Sequence, residues 1–418
     1  MKNVWRSGII FTAANFLTLI IGFGFQIIVS RQLQGQAGEF GYVQTAIAFI
    51  GLLGLPLAIA TQSVTHYIAR FHFGSENERL HGLLTSCRKF LLHITIAGSV
   101  AAVVLIEPLG HFFGIPRASL TFVALLCVLA GFWSSFFSAL CQGLGWFKRL
   151  ALIGLLAAVI RFAFGVSATH LSPIAEWAVL ASTVMLLSNL VLLFWKQEFP
   201  RKTGAAESAW SKDMIQFLVV STACTVGSNC FSQYDLLVAQ HYHFPGDELN
   251  HYTAAGLLAR QIPTLVGPLL TVLFTHRSSR QHHHGDELWE QMKLLGLYAV
   301  GLVLNATGLC LLKNVGLGLL SQNTPEAANM IAPFAISMVF IGLLQAIGTW
   351  ALASHWIRIS LLYGVLGIGY WALLLGFGKT PTALLHLMPF AAGIAFLILF
   401  SFWFIAMRRH KLVVEDVV

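Results

Sequence analysis

Twelve long apolar runs follow one another along this chain, and they constrain its fold more than any other feature. A run of about 20 helical residues, rising 1.5 Å per residue, spans the roughly 30 Å hydrocarbon core of a bilayer. Backbone polar groups in lipid must be hydrogen-bonded within the protein, and the short turns between these runs favour helices over strands. The runs are Ile9–Ser30, Tyr42–Ile68, Phe90–Phe112, Leu120–Cys141, Leu150–Ala168, Ala178–Trp195, Met214–Ala239, Ala254–Phe274, Leu294–Leu312, Met330–Ala351, Ile359–Phe377 and Leu385–Met407.

The composition agrees with a membrane protein. Of the 418 residues, 57% are hydrophobic and only 10% are charged, whereas a soluble domain carries roughly 25% charged residues. The net charge of +8 comes mainly from basic residues that flank the apolar runs. The chain has no basic run with interleaved aromatic residues, so we expect no nucleic-acid partner. The prediction is an all-α, multi-pass membrane protein.

The distribution of lysine and arginine predicts the orientation of the helices. With the N-terminus in the cytoplasm, 19 basic residues fall at the inner ends of the runs and four at the outer connections. The positive-inside rule therefore places both termini in the cytoplasm, and the alternation supports the count of twelve helices. The outer four are Arg31, Arg117, Lys313 and Lys379.

The chain also reads as one membrane module used twice. Trp5–Arg70 holds two apolar runs joined by a short polar turn, and 210–280 is a degenerate copy of that pattern. The polar stretch Lys196–Asp213 separates six runs from six. We expect an N-terminal six-helix lobe over residues 1–200 and a C-terminal one over 201–418, related as a parallel repeat.

Catalytic motifs are missing from the sequence. We find no HExxH, GxSxG or Walker motif, and predict no catalytic residue, metal site or cofactor. The run 282–284 is three histidines beside Asp286 and Glu287, and a solvated polar turn explains it better than a metal site. A membrane enzyme such as a ligase or acyltransferase stays as an alternative, for which the histidines and acids of Tyr242–His251 are the nearest candidates.

Two arginines lie inside apolar runs, one in each half of the chain. Arg161 and Arg260 fall towards the middle of the predicted bilayer, where an ionisable group is costly and usually faces an aqueous cavity. A guanidinium group keeps its charge and fits phosphate groups well. We expect both arginines to face a cavity and bind an anionic ligand. The alternative is that each pairs with helix carbonyls or reaches an interface.

Further polar residues accompany these arginines. Asp235, near the outer end of the seventh run, is expected to be a coupling-ion site, a counter-charge to an arginine, or an interface residue. Gln26, Gln62 and Gln261 are expected to contact substrate, although single amides in membrane helices often join helices instead. Prolines at 56, 263 and 268 predict kinks in the second and eighth helices.

Several short motifs resemble those of a known transporter family. The turn Ser30–Leu33 followed by Phe40–Tyr42 is similar to the "R-x-L … [FY]-G-x-[FY]" turn of Wzx-type lipid-linked oligosaccharide flippases of the MOP superfamily. Ala139–Phe147 resembles that family's exit from its fourth helix, and Tyr234–Val238 resembles an element of its second lobe. Tyr252–Ala255 resembles the "Y-x-x-A" element of the same lobe. The family often has glycine before this tyrosine, where Asn250 and His251 stand here.

This resemblance implies two lobes around a central cavity with alternating access. The implied substrate is a polyprenyl-diphosphate sugar, moved across the inner membrane for polysaccharide or O-antigen synthesis, with H⁺ or Na⁺ as a coupling ion. Arg31 of the turn motif joins the expected substrate contacts. Docking of a polysaccharide polymerase is left open. The alternative within the same fold is a MATE-like exporter of small molecules, for which acidic residues in the cavity would be expected.

Overall fold

The structure is a computed structural model that describes residues 2–34, 36, 38–73, 76–194, 212–267, 287–354 and 356–415. Within these ranges the regular structure is helical and no strand occurs. The chain divides into two compact units, Met1–Leu218 (unit 1) and Val219–Val418 (unit 2). The predicted linker and the histidine run 282–284 lie largely or wholly outside the described residues, so the domain boundary at residues 200 and 201 stays a prediction.

Unit 1 contains seven described helices. They are α1 (Lys2–Gln32), α2 (Glu39–Leu53), α3 (Leu55–Phe73), α4 (Asn77–Phe112), α5 (Ala118–Gly143), α6 (Phe147–Leu171) and α7 (Ala175–Phe194). The next helix, α8 (Lys212–Ser232), starts just before the boundary of unit 2. The described helices that follow it are α9 (Asp235–His241), α10 (Gly246–Ala259), α11 (261–267), α12 (Glu287–Leu311), α13 (Lys313–Leu319), α14 (Pro325–Ala353), α15 (Ile357–Phe377) and α16 (Pro381–Glu415).

Eight of the described helices are long and apolar enough to cross a bilayer, judged by length and composition. Large apolar side chains are exposed on them, for example Val103 at 73% and Leu304 at 67%. Such exposure is unfavourable in water and is expected where helices face lipid. The prediction of an all-helical, multi-pass membrane protein is confirmed, whereas the count of twelve helices and the cytoplasmic termini stay predictions.

The two units share one pattern of helix neighbours. In unit 1, α1 packs on α6, α5 and α6 pack on α7, and α3 and α4 pack on α5. In unit 2, α14 and α15 pack on α16, and α10 and α12 pack on α14. Close approaches of Gly227 to Tyr363 and of Gly364 to Ala223 place α8 against α15. Counted by apolar run, each of these pairs in one unit has its counterpart in the other, the pattern that an internal repeat predicts.

Three of the apolar runs are interrupted. Gly54 separates α2 from α3, two residues before Pro56, and α10 ends at Ala259, four residues before Pro263. A proline lacks the N–H that would bind the carbonyl four residues earlier, and its ring clashes with that carbonyl. Both interruptions therefore lie where the prolines predict kinks. Pro268 lies outside the described residues. The prediction of a single helix over Met214–Ala239 is wrong, because α8 ends at Ser232 and α9 begins at Asp235.

Candidate functional site

A buried ion pair joins α9 to the end of α10. Asp235, the first residue of α9, is fully buried, and the Arg260 side chain is 19% exposed. Arg260 Nη2 lies 2.8 Å from Asp235 Oδ1 and 2.7 Å from Oδ2. The Tyr252 hydroxyl of α10 donates to Oδ2 at 2.8 Å. Arg260 Nε donates to the Ser232 carbonyl at 2.8 Å. Of the three roles considered for Asp235, this geometry corresponds to the counter-charge of an arginine.

Arg161 has different surroundings. It lies in α6, about 21 Å from the start of the helix and about 15 Å from its end at 1.5 Å per residue. Its guanidinium carbon is 4.6 Å from the centre of the Phe25 ring of α1, a cation–π geometry. Its Nε is buried and has no hydrogen-bond partner among the described residues.

No carboxylate of the neighbouring helices neutralises Arg161. Among the described helices, α6 packs on α1, α5 and α7. The sequences of α1, α5 and α6 contain no aspartate or glutamate, and α7 contains only Glu176, in its first turn. Glu176 is itself paired with Arg117. Arg161 is therefore a cation near the middle of a membrane helix, and the one carboxylate on the helices that pack against α6, Glu176, is paired with Arg117.

Apart from Gln62, the other predicted contacts have partners or positions of their own among the described residues. Gln44 of α2 donates a hydrogen bond to the Gln26 side chain of α1, so these two amides join helices. Gln261 donates to the Leu257 carbonyl at 3.3 Å, within its own stretch of chain. Arg31 is exposed in the last turn of α1. The side chain of Gln62 lies outside the described residues. Their roles as substrate contacts stay predictions.

Unit 1 contains a second cluster of charged side chains, which the sequence did not predict. Arg117 Nη2 lies 2.8 Å from Glu39 Oε2, and its Nε lies 2.9 Å from Glu176 Oε1. Glu39 also accepts the Ala175 N–H at 2.7 Å, and the Ser119 hydroxyl donates to Glu176 at 2.7 Å. Partial burial lowers the pKa of Arg117, but the hydrogen bond and the charges of the two carboxylates raise it to a value above the ordinary one.

The sequence holds one signal that could have revealed this cluster. Glu39 is the first residue of α2, Arg117 precedes α5, and Glu176 is the second residue of α7. Acidic residues are favourable at helix N-termini, and here three helix starts carry charges that complement one another.

No protein-family model and no curated protein matches the chain. Among solved structures it is similar to an inward-facing multidrug resistance MATE family transporter of the MOP superfamily, with a TM-score of 0.66 and 12% identity, covering 94% of this chain and 95% of that one. A MATE structure in the bent conformation gives 0.64 and 12% identity over 99% and 96%. The chain has the fold of the MATE transporters.

A third solved structure shows that proteins of the MATE fold differ in their sites. A MOP superfamily transporter from Pyrococcus furiosus, whose binding pocket has reverse polarity that suggests a different function, gives a TM-score of 0.55 and 10% identity over 98% and 96%. At these identities the similarity establishes the fold alone. The MATE-like fold expected from the sequence is thus confirmed.

Proposed function

We propose that this protein is a flippase that moves a polyprenyl-diphosphate-linked oligosaccharide across the inner membrane for polysaccharide synthesis. Transport, rather than catalysis, is the function that the MATE fold supports best. H⁺ or Na⁺ serves as the coupling ion in this proposal. The diphosphate sugar headgroup is the cargo, and its anionic charge is what the protein has to accommodate.

The proposal rests mainly on one observation, that no carboxylate neutralises Arg161. A charge without a partner is costly in a low-dielectric environment, and no carboxylate on α1, α5 or α6 offsets that of the half-buried Arg161. A diphosphate would supply the missing negative charge through charge-assisted hydrogen bonds, which suit a planar guanidinium group. The Phe25 ring beneath the guanidinium restricts its orientation. Gln26, Gln62, Gln261 and Arg31 stay predicted contacts of the cargo in this proposal.

A MATE-like exporter of small molecules is the second candidate, and the similarity to multidrug transporters favours it. An exporter of organic cations would need a free carboxylate inside the membrane. Two acids lie within the apolar runs, Asp235 and Glu107. Asp235 is bound to Arg260 and Tyr252, and Glu107 is exposed, five residues before the end of α4. The charge nearest the middle of a described membrane helix that no carboxylate neutralises is positive, at Arg161, so we prefer the anionic cargo.

The alternative of a membrane enzyme receives little support from the fold. The stretch Tyr242–His251, its nearest candidate, is a four-residue connection and the first turns of α10. Its residues do not build an extramembrane domain in which a reaction could be enclosed.

The test is the affinity of the purified protein for a fluorescent polyprenyl-diphosphate sugar. Arg161→Gln removes the charge but keeps hydrogen-bonding capacity. A charge-assisted contact contributes roughly 1.5–3 kcal/mol, so the affinity should fall about 10- to 100-fold. Arg161→Lys should restore it in part, because lysine returns the charge but not the planar donor group.

Arg88→Gln is the matched control for this test. It makes the same chemical change at an exposed position of α4 in the same unit. Its affinity should equal that of the wild type. Unchanged affinity in Arg161→Gln, with folded protein at the wild-type level, would contradict the anionic cargo.

A further inference from the structure

The interruption between α8 and α9 has no proline or glycine to cause it. Its residues are Ser232, Gln233, Tyr234 and Asp235. In a continuous α-helix the Ser232 carbonyl would accept the N–H of Leu236. Here that N–H instead bonds to the Gln233 carbonyl, at 3.4 Å. The Ser232 carbonyl accepts Arg260 Nε at 2.8 Å. A side chain inserted into the hydrogen-bond ladder is a recognised cause of a helix break.

The inserted side chain itself comes from a second helix break. Arg260 lies between α10 and α11, where Pro263 removes one donor from the helix. Its N–H still binds the Gly256 carbonyl at 2.9 Å, and its carbonyl accepts the Thr264 hydroxyl at 3.0 Å. Arg260 therefore keeps its own backbone bonded while its side chain reaches the other break.

Asp235 and Tyr252 fix the guanidinium in place. Three acceptor atoms hold it: the Ser232 carbonyl and the two carboxylate oxygens of Asp235. Tyr252 donates to the same carboxylate and packs edge-on against Phe334 of α14, with ring centres 4.8 Å apart. The planar donor group of arginine can satisfy a carbonyl and a carboxylate at once, which an ammonium group cannot do in the same geometry.

We propose that Arg260 is a positioning residue that joins the two helix breaks of unit 2, so that α9 and α10 keep a single orientation. This assigns Arg260 to the wall of the unit, in place of the predicted direct contact with an anionic cargo. The inference rests on contacts within unit 2 and is independent of the proposed cargo. It can therefore be tested without any transport assay.

Hydrogen exchange and thermal unfolding of the full-length protein in detergent test this role. In Asp235→Asn and in Arg260→Gln, the amides of α9 should exchange at least about tenfold faster, because their anchor is lost. The midpoint of unfolding should fall by about 10 °C, since each variant leaves one buried group of the pair without its partner. The double variant should regain most of the lost midpoint, because no buried charge stays unpaired.

Arg260→Lys tests whether Arg260 must bind the Ser232 carbonyl as well as pair with Asp235. Lysine keeps the charge beside Asp235, so the midpoint should stay within about 3 °C of the wild type. It cannot also hold the Ser232 carbonyl, so exchange in α9 should still be faster. Arg358→Gln, an exposed arginine of α15, is the matched control and should change neither quantity.

Two outcomes would overturn the proposal. Unchanged exchange in α9 in Arg260→Gln and Arg260→Lys would show that the side chain does not hold the break. A double variant that loses as much stability as the two single variants together would show that the two residues act separately. Because neither outcome involves a cargo, failure here leaves the proposed function standing.

Discussion

Replacing Arg117 by glutamine should weaken unit 1 measurably. The arginine neutralises two carboxylates, and its side chain is 35% exposed, whereas those of Glu39 and Glu176 are 11% and 13% exposed. Exposed ion pairs contribute about 0–1 kcal/mol, and breaking a buried pair costs about 3–5 kcal/mol. This cluster lies between these limits, so Arg117→Gln should lower the free energy of unfolding by about 2 kcal/mol and the midpoint of unfolding by about 4–8 °C.

The assay is thermal unfolding of purified protein in detergent. The double variant Arg117→Gln/Glu176→Gln should recover part of the loss, because one of the two facing carboxylates is removed. Lys379→Gln, an exposed residue at another predicted outer connection, is the control. A midpoint for Arg117→Gln within about 1 °C of the wild type would refute the reasoning.

The pH dependence of this loss follows from the raised pKa of Arg117. A raised folded-state pKa means that the stabilisation is present below the unfolded-state pKa and is lost only as the pH rises through the higher folded-state value. Both values lie far above neutrality for arginine. The difference between wild type and Arg117→Gln should therefore be the same at about pH 7 and about pH 9. A difference that disappears at the higher pH would contradict it.

Two further predictions concern packing and topology. Gly165→Ala would place a methyl group in steric conflict with the Phe25 ring. We expect overpacking to lower the free energy of unfolding by about 1–3 kcal/mol, measured as a lower unfolding midpoint. An unchanged midpoint would contradict the α1–α6 contact. A single cysteine at Gly204 should react with an impermeant label only from the cytoplasmic side, and one at Gln36 only from outside; the reverse pattern would overturn the predicted orientation.

The features of the fold that depend on local sequence could be predicted. Apolar runs of about 20 residues identify helices that lie in lipid, because no other element satisfies the backbone there. The break after Ala259 follows from Pro263 four residues later. The break after Ser232 could not be predicted, because its cause is a side chain 28 residues away.

The sequence predicts where the charged residues lie along their helices, but not which residues they pair with. The rise per residue predicts how deep Arg161 and Asp235 lie in the bilayer, but it does not determine which neighbour each side chain contacts. The pairing of Asp235 with Arg260 depends on how α9 and α10 pack, 25 residues apart in sequence. The sequence predicts Arg117 at an outer connection but not its ion pairs, because its partners lie on other helices and one of them is 78 residues away.

Transport by the purified protein in lipid vesicles tests the central claim most directly. A fluorescent polyprenyl-diphosphate sugar and a cationic dye would be compared in the same vesicles, under an imposed H⁺ or Na⁺ gradient and with protein-free vesicles as the control. We expect protein-dependent movement of the anionic lipid across the bilayer. Dye accumulation should equal that in the protein-free vesicles. Protein-dependent accumulation of the dye, with no movement of the anionic lipid, would contradict the proposed function and favour the exporter.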